Sequence, residues 1–448
     1  MAVRVRLRAV HGVALVLGLA PFVKLAEWGL TPGPKTVRAD SARAGSILFR
    51  RDWTAGDRLT GGDGLGPVFN ARSCVECHFQ GGAGGGGTVD KNVTVYGLLA
   101  PKPGDPRPPI GVIHRHSVSD EFQETMAQVD PTLPSKPWMP LEQVNARNLS
   151  GTASAAAALI TQRNTPALFG DGIIDAVTDS TIIAHQREHS SAARLVGLNG
   201  ALDPNVRGRV ARLVDGRIGR FGWKGEFATL GDFVRAACAN ELGLSNPSRP
   251  QAISLASPAH MPKSARPDLT DAQCELMADY VRALPAPRSV VPVSSRSSVE
   301  LGERAFAKVG CADCHTPDLG SASGLYSDLL LHEMGVELAS STGYYGAPPP
   351  SPGDLPPGTL PFGAVAQSAL EWKTPPLWGV ADSGPYMHDG RSKTLEDAIK
   401  AHGGEAVGSA SRFDELPPAE RQGLLDFLGT LRAPAIEQIA ALDLGTTN

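Results

Sequence analysis

At 448 residues, with 42 Lys and Arg against 46 Asp and Glu, the chain carries a formal charge of −4 and is long enough for two or three packed domains. That balance excludes a protein that must neutralise many phosphates, so no nucleic-acid partner is expected. Six cysteines are too few to frame a disulfide scaffold of this size, while 50 glycines and 37 prolines predict many turns and long loops.

In chain order, Arg4, Arg6 and Arg8 precede an apolar run from Ala9 to Ala20, the order of a secretory signal peptide. The run is short of the roughly 20 residues that a membrane span needs, and Pro21 and Lys24 interrupt it. Val37-Arg38-Ala39 offers a small-residue cleavage site. Residues 1–39 are therefore read as a signal peptide or a retained N-terminal anchor, with an ordinary buried helix as the plainer alternative. Either exported form places the rest of the chain in the periplasm, soluble or held to the membrane through its N-terminus.

Two motifs dominate the rest of the chain. Cys74-Val75-Glu76-Cys77-His78 and Cys311-Ala312-Asp313-Cys314-His315 both read C-x-x-C-H, the pattern of covalent haem c attachment. Two thiols on one turn can add to the two vinyl groups at one haem edge, and the following imidazole can swing beneath the iron. A dithiol redox site or half a zinc site would leave the histidine of each copy unexplained.

The flanking sequence predicts a mainly α fold: two cytochrome c-like haem domains with long loops and insertions. Val299 to Val309 has the apolar spacing of a helix leading into the second motif, and Ala44 to Phe49 makes a comparable start, separated from the first motif by a glycine-rich insertion. Amphipathic stretches from Leu269 to Leu284 and from Pro418 to Leu431 close the two regions. The expected organisation is an N-terminal haem domain over 40–286, a Pro/Ser-rich linker over 287–298, a C-terminal haem domain over 299–432 and a tail over 433–448. The stretches 81–87, 101–109 and 348–363 have loop composition. Cys238 and Cys274 are read as either a disulfide or two buried free thiols.

Several segments add a resemblance. Phe69-Asn70-Ala71-Arg72-Ser73, Arg163-Asn164-Thr165-Pro166-Ala167-Leu168, Gly219-Arg220-Phe221-Gly222-Trp223-Lys224-Gly225, Asp328 to Gly335, Glu371 to Trp378, and Pro385-Tyr386-Met387-His388-Asp389-Gly390-Arg391 are the markers. Over about residues 44 to 431 the chain resembles the bacterial di-haem cytochrome c peroxidase superfamily, in particular its di-haem oxidoreductase branch, once described as thiol-oxidoreductase-like. The resemblance implies two covalent haems working as a pair, one closed by two protein ligands and the other able to present a position to peroxide.

His78 and His315 are then the proximal ligands. Counting through the intervening helix from the His-Asp-Gly turn places His402 as the distal ligand of the C-terminal haem, with Met387 and His388 as competing donors. Trp223 falls at the position of the family's inter-haem tryptophan, with ordinary core packing as the alternative. Glu241 falls close to the distal-pocket glutamate, where a carboxylate beside peroxide can carry a proton to the departing oxygen. His114, His116, His185 and His189 are open candidates near the first haem. Arg163 and Arg220 are candidate partners of haem propionates, and His332 with Glu333 a candidate supporting pair. The implied function is a periplasmic oxidoreductase, peroxidase-like, taking electrons from an external donor such as a small cytochrome or cupredoxin through the C-terminal haem to the N-terminal one. Peroxide or another small oxidant would be the acceptor. The alternative is a di-haem electron carrier or a subunit of a respiratory complex. An inter-domain calcium is a further expectation of the resemblance.

Overall fold

The computed structural model describes residues 37–98, 110–130, 133, 158–196, 206–258, 266–340, 345 and 369–444. Both motif regions are built on one plan. Helix Ala39–Arg50 packs across helix Asp271–Ala283 in the first, and helix Arg296–Lys308 across helix Pro418–Gly429 in the second. Each crossing is made at a glycine. A Cβ at Gly45 would stand 1.9 Å from the Leu276 carbonyl oxygen, and one at Gly302 would stand 1.9 Å from that of Gly423. The helices meet backbone to backbone, which only the smallest residue permits. Their buried positions fall at helical spacing, Ala42, Gly45, Ser46, Leu48 and Phe49 in one and Val299, Gly302, Ala305 and Phe306 in the other.

The helix bounds follow local chemistry. Thr270 caps Asp271–Ala283 by accepting from the Gln273 N–H, while Gln273 Oε1 accepts from the Thr270 N–H, a reciprocal box. Pro418 opens its helix at the first turn, where no backbone donor is needed. After the leading helix of each region the C-x-x-C segment forms one 3-10 turn, Cys74–Glu76 and Cys311–Asp313.

The described residues are mainly α, and the structure adds features that the sequence reading did not contain. Strands Val93–Leu98, Ile110–Ile113 and Ala158–Arg163 form an antiparallel sheet with Val93–Leu98 at its centre; Val95 pairs with Val112 on one side and Thr161 on the other. Within the expected linker, Arg288–Ser289 pairs antiparallel with Leu431–Arg432, and the turn Val293–Ser295 runs directly into helix Arg296–Lys308. The expected tail forms helix Ile436–Leu444, and its Ile439 is buried in a core with Phe49, Phe169, Leu284 and Trp378. That core also takes Leu319, Leu325 and Leu330 from the second region, so the two regions share apolar packing. Most of the expected signal segment, with 101–109 and 348–363, lies outside the described residues. Among the described residues no helix is long and apolar enough to cross a membrane.

Candidate haem-binding site

At the first motif, the His78 N–H donates to the Cys74 carbonyl at 3.0 Å, which winds the thiols and the imidazole onto one turn. His78 Nδ1 lies 3.2 Å from the Gly85 carbonyl and 3.1 Å from that of Pro166. With its proton on Nδ1, the ring keeps the Nε2 lone pair for a metal. The glycine-rich loop makes this approach possible, since a Cβ at Gly85 would stand 1.6 Å from the Gln80 carbonyl oxygen. Burial lowers the His78 pKa to about 4, so the ring is neutral, the form that ligates.

The second motif repeats this chemistry and has a second imidazole beside it. His315 Nδ1 donates to the Tyr326 carbonyl at 3.0 Å, and burial, then the neighbouring His402, lowers its pKa to about 4. His402 follows helix Leu395–Lys400, which Thr394 caps by accepting from the Asp397 N–H. Its Nδ1 donates to the Ala398 carbonyl at 2.7 Å. The two rings face each other with centroids 6.5 Å apart and planes at 66°. An imidazole–metal bond of about 2 Å on each side, plus the two ring radii, accounts for that separation. This donor set fits an iron held between His315 and His402. Of the competing donors, His388 lines the same cavity but stacks on Trp372 at 3.7 Å and 15°, and Met387 lies in the cavity wall.

A cavity of about 300 Å³ is lined by Cys311, Cys314, His315 and His402, by Pro166, Phe221 and Phe233 from the first region, and by Trp223. The Trp223 indole N–H donates to the Asn164 carbonyl at 2.9 Å. Arg220 also reaches the wall, with its guanidinium donating to the Val177 carbonyl and the Asp179 carboxylate. Arg163 is not in the lining; it is buried beneath Trp372, 4.8 Å from the ring centroid, and donates to Ser340 Oγ at 2.7 Å. Asp171 and Lys373 line the cavity too. Burial lifts the Asp171 pKa to about 8 and lowers that of Lys373. Neither was singled out as a site residue from sequence, where one Asp and one Lys carry no spacing signal.

Glu241 ends helix Leu230–Glu241 beside the first motif. Asn70 Nδ2 donates to its carboxylate at 2.7 Å, and so does the Tyr345 hydroxyl. Burial, then the Glu241 charge, pushes the Cys77 thiol up to about 12. Tyr345 escaped the sequence reading because it comes from a distant loop with no motif around it.

The profile of the family described as "Di-haem oxidoreductase, putative peroxidase" matches residues 353–431. Over 141 residues the chain is 32% identical to the methylamine utilization protein MauG of Methylorubrum extorquens, covering 29% of this chain and 34% of that protein. Over 171 residues it is 29% identical to hydrazine synthase subunit gamma of Kuenenia stuttgartiensis, covering 35% of this chain and 48% of that subunit. The matched segments thus span half or less of these curated relatives. In these segments the chain is similar to the di-haem cytochrome c peroxidase superfamily. Among solved structures it is similar to the Kuenenia stuttgartiensis hydrazine synthase, with a TM-score of 0.42 and 15% identity over 95% of this chain and 100% of that one. It is also similar to a MauG-like protein associated with microbial copper homeostasis, with a TM-score of 0.29 and 19% identity over 60% of this chain and 92% of that one.

The remaining histidines take other roles in the structure. His114 is buried with both nitrogens engaged, Nδ1 at 3.0 Å from Glu124 and Nε2 at 2.8 Å from the Asn240 carbonyl, and so has no lone pair for iron. His116 lies in a strand pairing with Phe69. His185 and His189 lie on helix Asp179–Val196, where the charges felt by His185 include Asp328 and His332 of the second region. Among the described residues no histidine faces the His78 ring; its aromatic neighbour is Phe49, at 6.3 Å. The expected His332–Glu333 pair is corrected. His332 Nε2 meets Asp328 at 2.8 Å and Nδ1 meets Glu405 at 2.7 Å, 3.6 Å from the Cys314 sulfur, because alternation along the strand turns Glu333 the other way. Cys238 and Cys274 are buried, unlinked and in hydrogen-bonding contact.

Proposed function

We propose that the protein is a periplasmic, peroxidase-like di-haem oxidoreductase in which electrons from an external donor protein enter at the C-terminal haem and leave at the N-terminal one. When bound, the two haems supply two one-electron stores and an iron at which peroxide is reduced. Cys74 and Cys77 would tether the first and Cys311 and Cys314 the second, with His78 and His315 as proximal ligands.

The observation that carries this reading is the asymmetry between the motifs. His402 stands across from His315, while no described histidine stands across from His78. A bis-imidazole site suits electron storage and an uncovered one suits substrate. Glu241, beside the first motif and held by Asn70 and Tyr345, is the residue to receive and return a proton as the peroxide bond breaks. Trp223 lines the cavity shared by both regions, a polarisable ring on the route between them. The family-profile match over residues 353–431 and the likeness to MauG support oxidoreductase chemistry.

Likeness to a hydrazine synthase subunit favours a second reading, a di-haem electron-transfer subunit of a larger complex. Stopped-flow mixing of the fully reduced protein with hydrogen peroxide separates the two. The enzyme reading expects rapid reoxidation, with two electrons and two protons consumed per peroxide and water as the product. Reoxidation no faster than that of a sealed six-coordinate cytochrome would overturn it and leave the carrier.

A further inference from the structure

Helix Asp179–Val196 opens with Ile182 fully buried in the core. The positions that continue this stripe down the helix, three and seven residues on, are His185 and His189. A core-facing stripe is normally completed with apolar side chains. Here it ends in two imidazoles one turn apart, their rings 6.0 Å from centroid to centroid and inclined at 37°. The Nε2 atoms of both are buried, and neither has a hydrogen-bond partner. Two buried polar nitrogens without partners on one helix face are costly unless something occupies the space between them.

Glu188 is on the same helix, exposed, and Asp328 contributes a negative potential at His185 from the neighbouring segment, opposed by His332. The haem reading leaves this pair unused, since neither histidine lines the cavity that His315 and His402 share. The run His185-Gln186-Arg187-Glu188-His189 also has the H-x-x-E-H order in which two helical histidines bind zinc.

We infer that His185 and His189 form a binding site for a borderline divalent metal ion of the zinc class, held through the two Nε2 atoms with water completing the coordination. Imidazoles at i and i+4 on one helix supply the nitrogen donors that such ions take. Among the described residues no group of three or more His, Cys, Asp and Glu side chains gathers to hold a metal, so the site is a two-histidine one, open to solvent ligands. It is distinct from the haem irons, and the inference does not depend on the peroxidase reading.

The test uses the untagged holoprotein dialysed against zinc ion, with retained zinc and iron measured together by elemental analysis. One zinc per two irons is expected, with affinity falling at least tenfold in His185→Gln and in His189→Gln while the haem spectrum stays unchanged. As a measurement without substitution, zinc should protect His185 and His189 of the wild-type protein from diethylpyrocarbonate, read by peptide mass spectrometry. Retention unchanged in the double variant, or equal labelling with and without zinc, would overturn the site and assign the two nitrogens to water alone.

Discussion

Glu241 is held at its carboxylate by two donors, Asn70 and Tyr345, which fix the oxygens beside the first motif without neutralising them. Replacing it with Gln keeps the shape and removes the base. Peroxide reduction should fall about 100-fold or more in Glu241→Gln, with two haems still attached by mass spectrometry. A rate within threefold of wild type would remove Glu241 from the proton path. His332 tests the residue scale in a different way. Burial disfavours its charged ring, but Asp328, and Glu405 at 2.7 Å on the other nitrogen, hold the imidazolium, so its pKa lies well above the ordinary value. A raised histidine pKa gives stability that is fully present below about pH 6.5 and is lost as pH rises through the folded value. His332→Gln should therefore cost about 3–5 kcal/mol near pH 6, by leaving Asp328 buried without its counter-charge, and should cost less at alkaline pH. Urea unfolding across that range measures both the size and the sign.

At the scale of elements, the two helix crossings carry the fold. Gly302 faces the Gly423 carbonyl at a distance where no Cβ fits, so Gly302→Val must push the helices apart. A loss of about 3 kcal/mol in thermal unfolding is expected, whereas Gly429→Ala in the same helix pair, with nothing within 4 Å of the added carbon, should be neutral or slightly stabilising. Equal effects at the two sites would contradict backbone contact at the crossing. These helices were legible in the sequence because their apolar positions recur at helical spacing and their starts carry caps, as Thr270 and Pro418 show. The sheet was not singled out, although Val93-Thr94-Val95-Tyr96 is a run of β-branched and aromatic residues, the one local signal it offers. Its partners lie far along the chain, and pairing between distant strands leaves no periodicity to read. The ordered structure in the linker and tail was not legible for a related reason. Proline and serine predict irregular chain, but the Arg288–Ser289 pairing with Leu431–Arg432 and the burial of Ile439 are decided by packing against the rest of the molecule.

Over the whole molecule, the two attachment motifs were legible and the orientation of the groups around them was not. C-x-x-C-H spells out its own use, and the family resemblance, carried across from the His-Asp-Gly turn, implied His402, whose ring lies 6.5 Å from that of His315. No spacing rule could show that His114 spends both nitrogens on Glu124 and Asn240, that His332 prefers Asp328 and Glu405 to Glu333, or that Arg163 is buried beneath Trp372. Those outcomes depend on which distant segments meet, as do the placements of Asp171, Lys373 and Tyr345.

The central claim is a pair of irons with unequal ligation in one chain. Electron paramagnetic resonance of the fully oxidised protein, with and without His402→Ala, tests it most directly. One low-spin and one high-spin ferric centre in equal amounts are expected, with the low-spin signal alone lost in the variant. Two low-spin centres in the wild type, or a low-spin signal that survives the loss of His402, would contradict it.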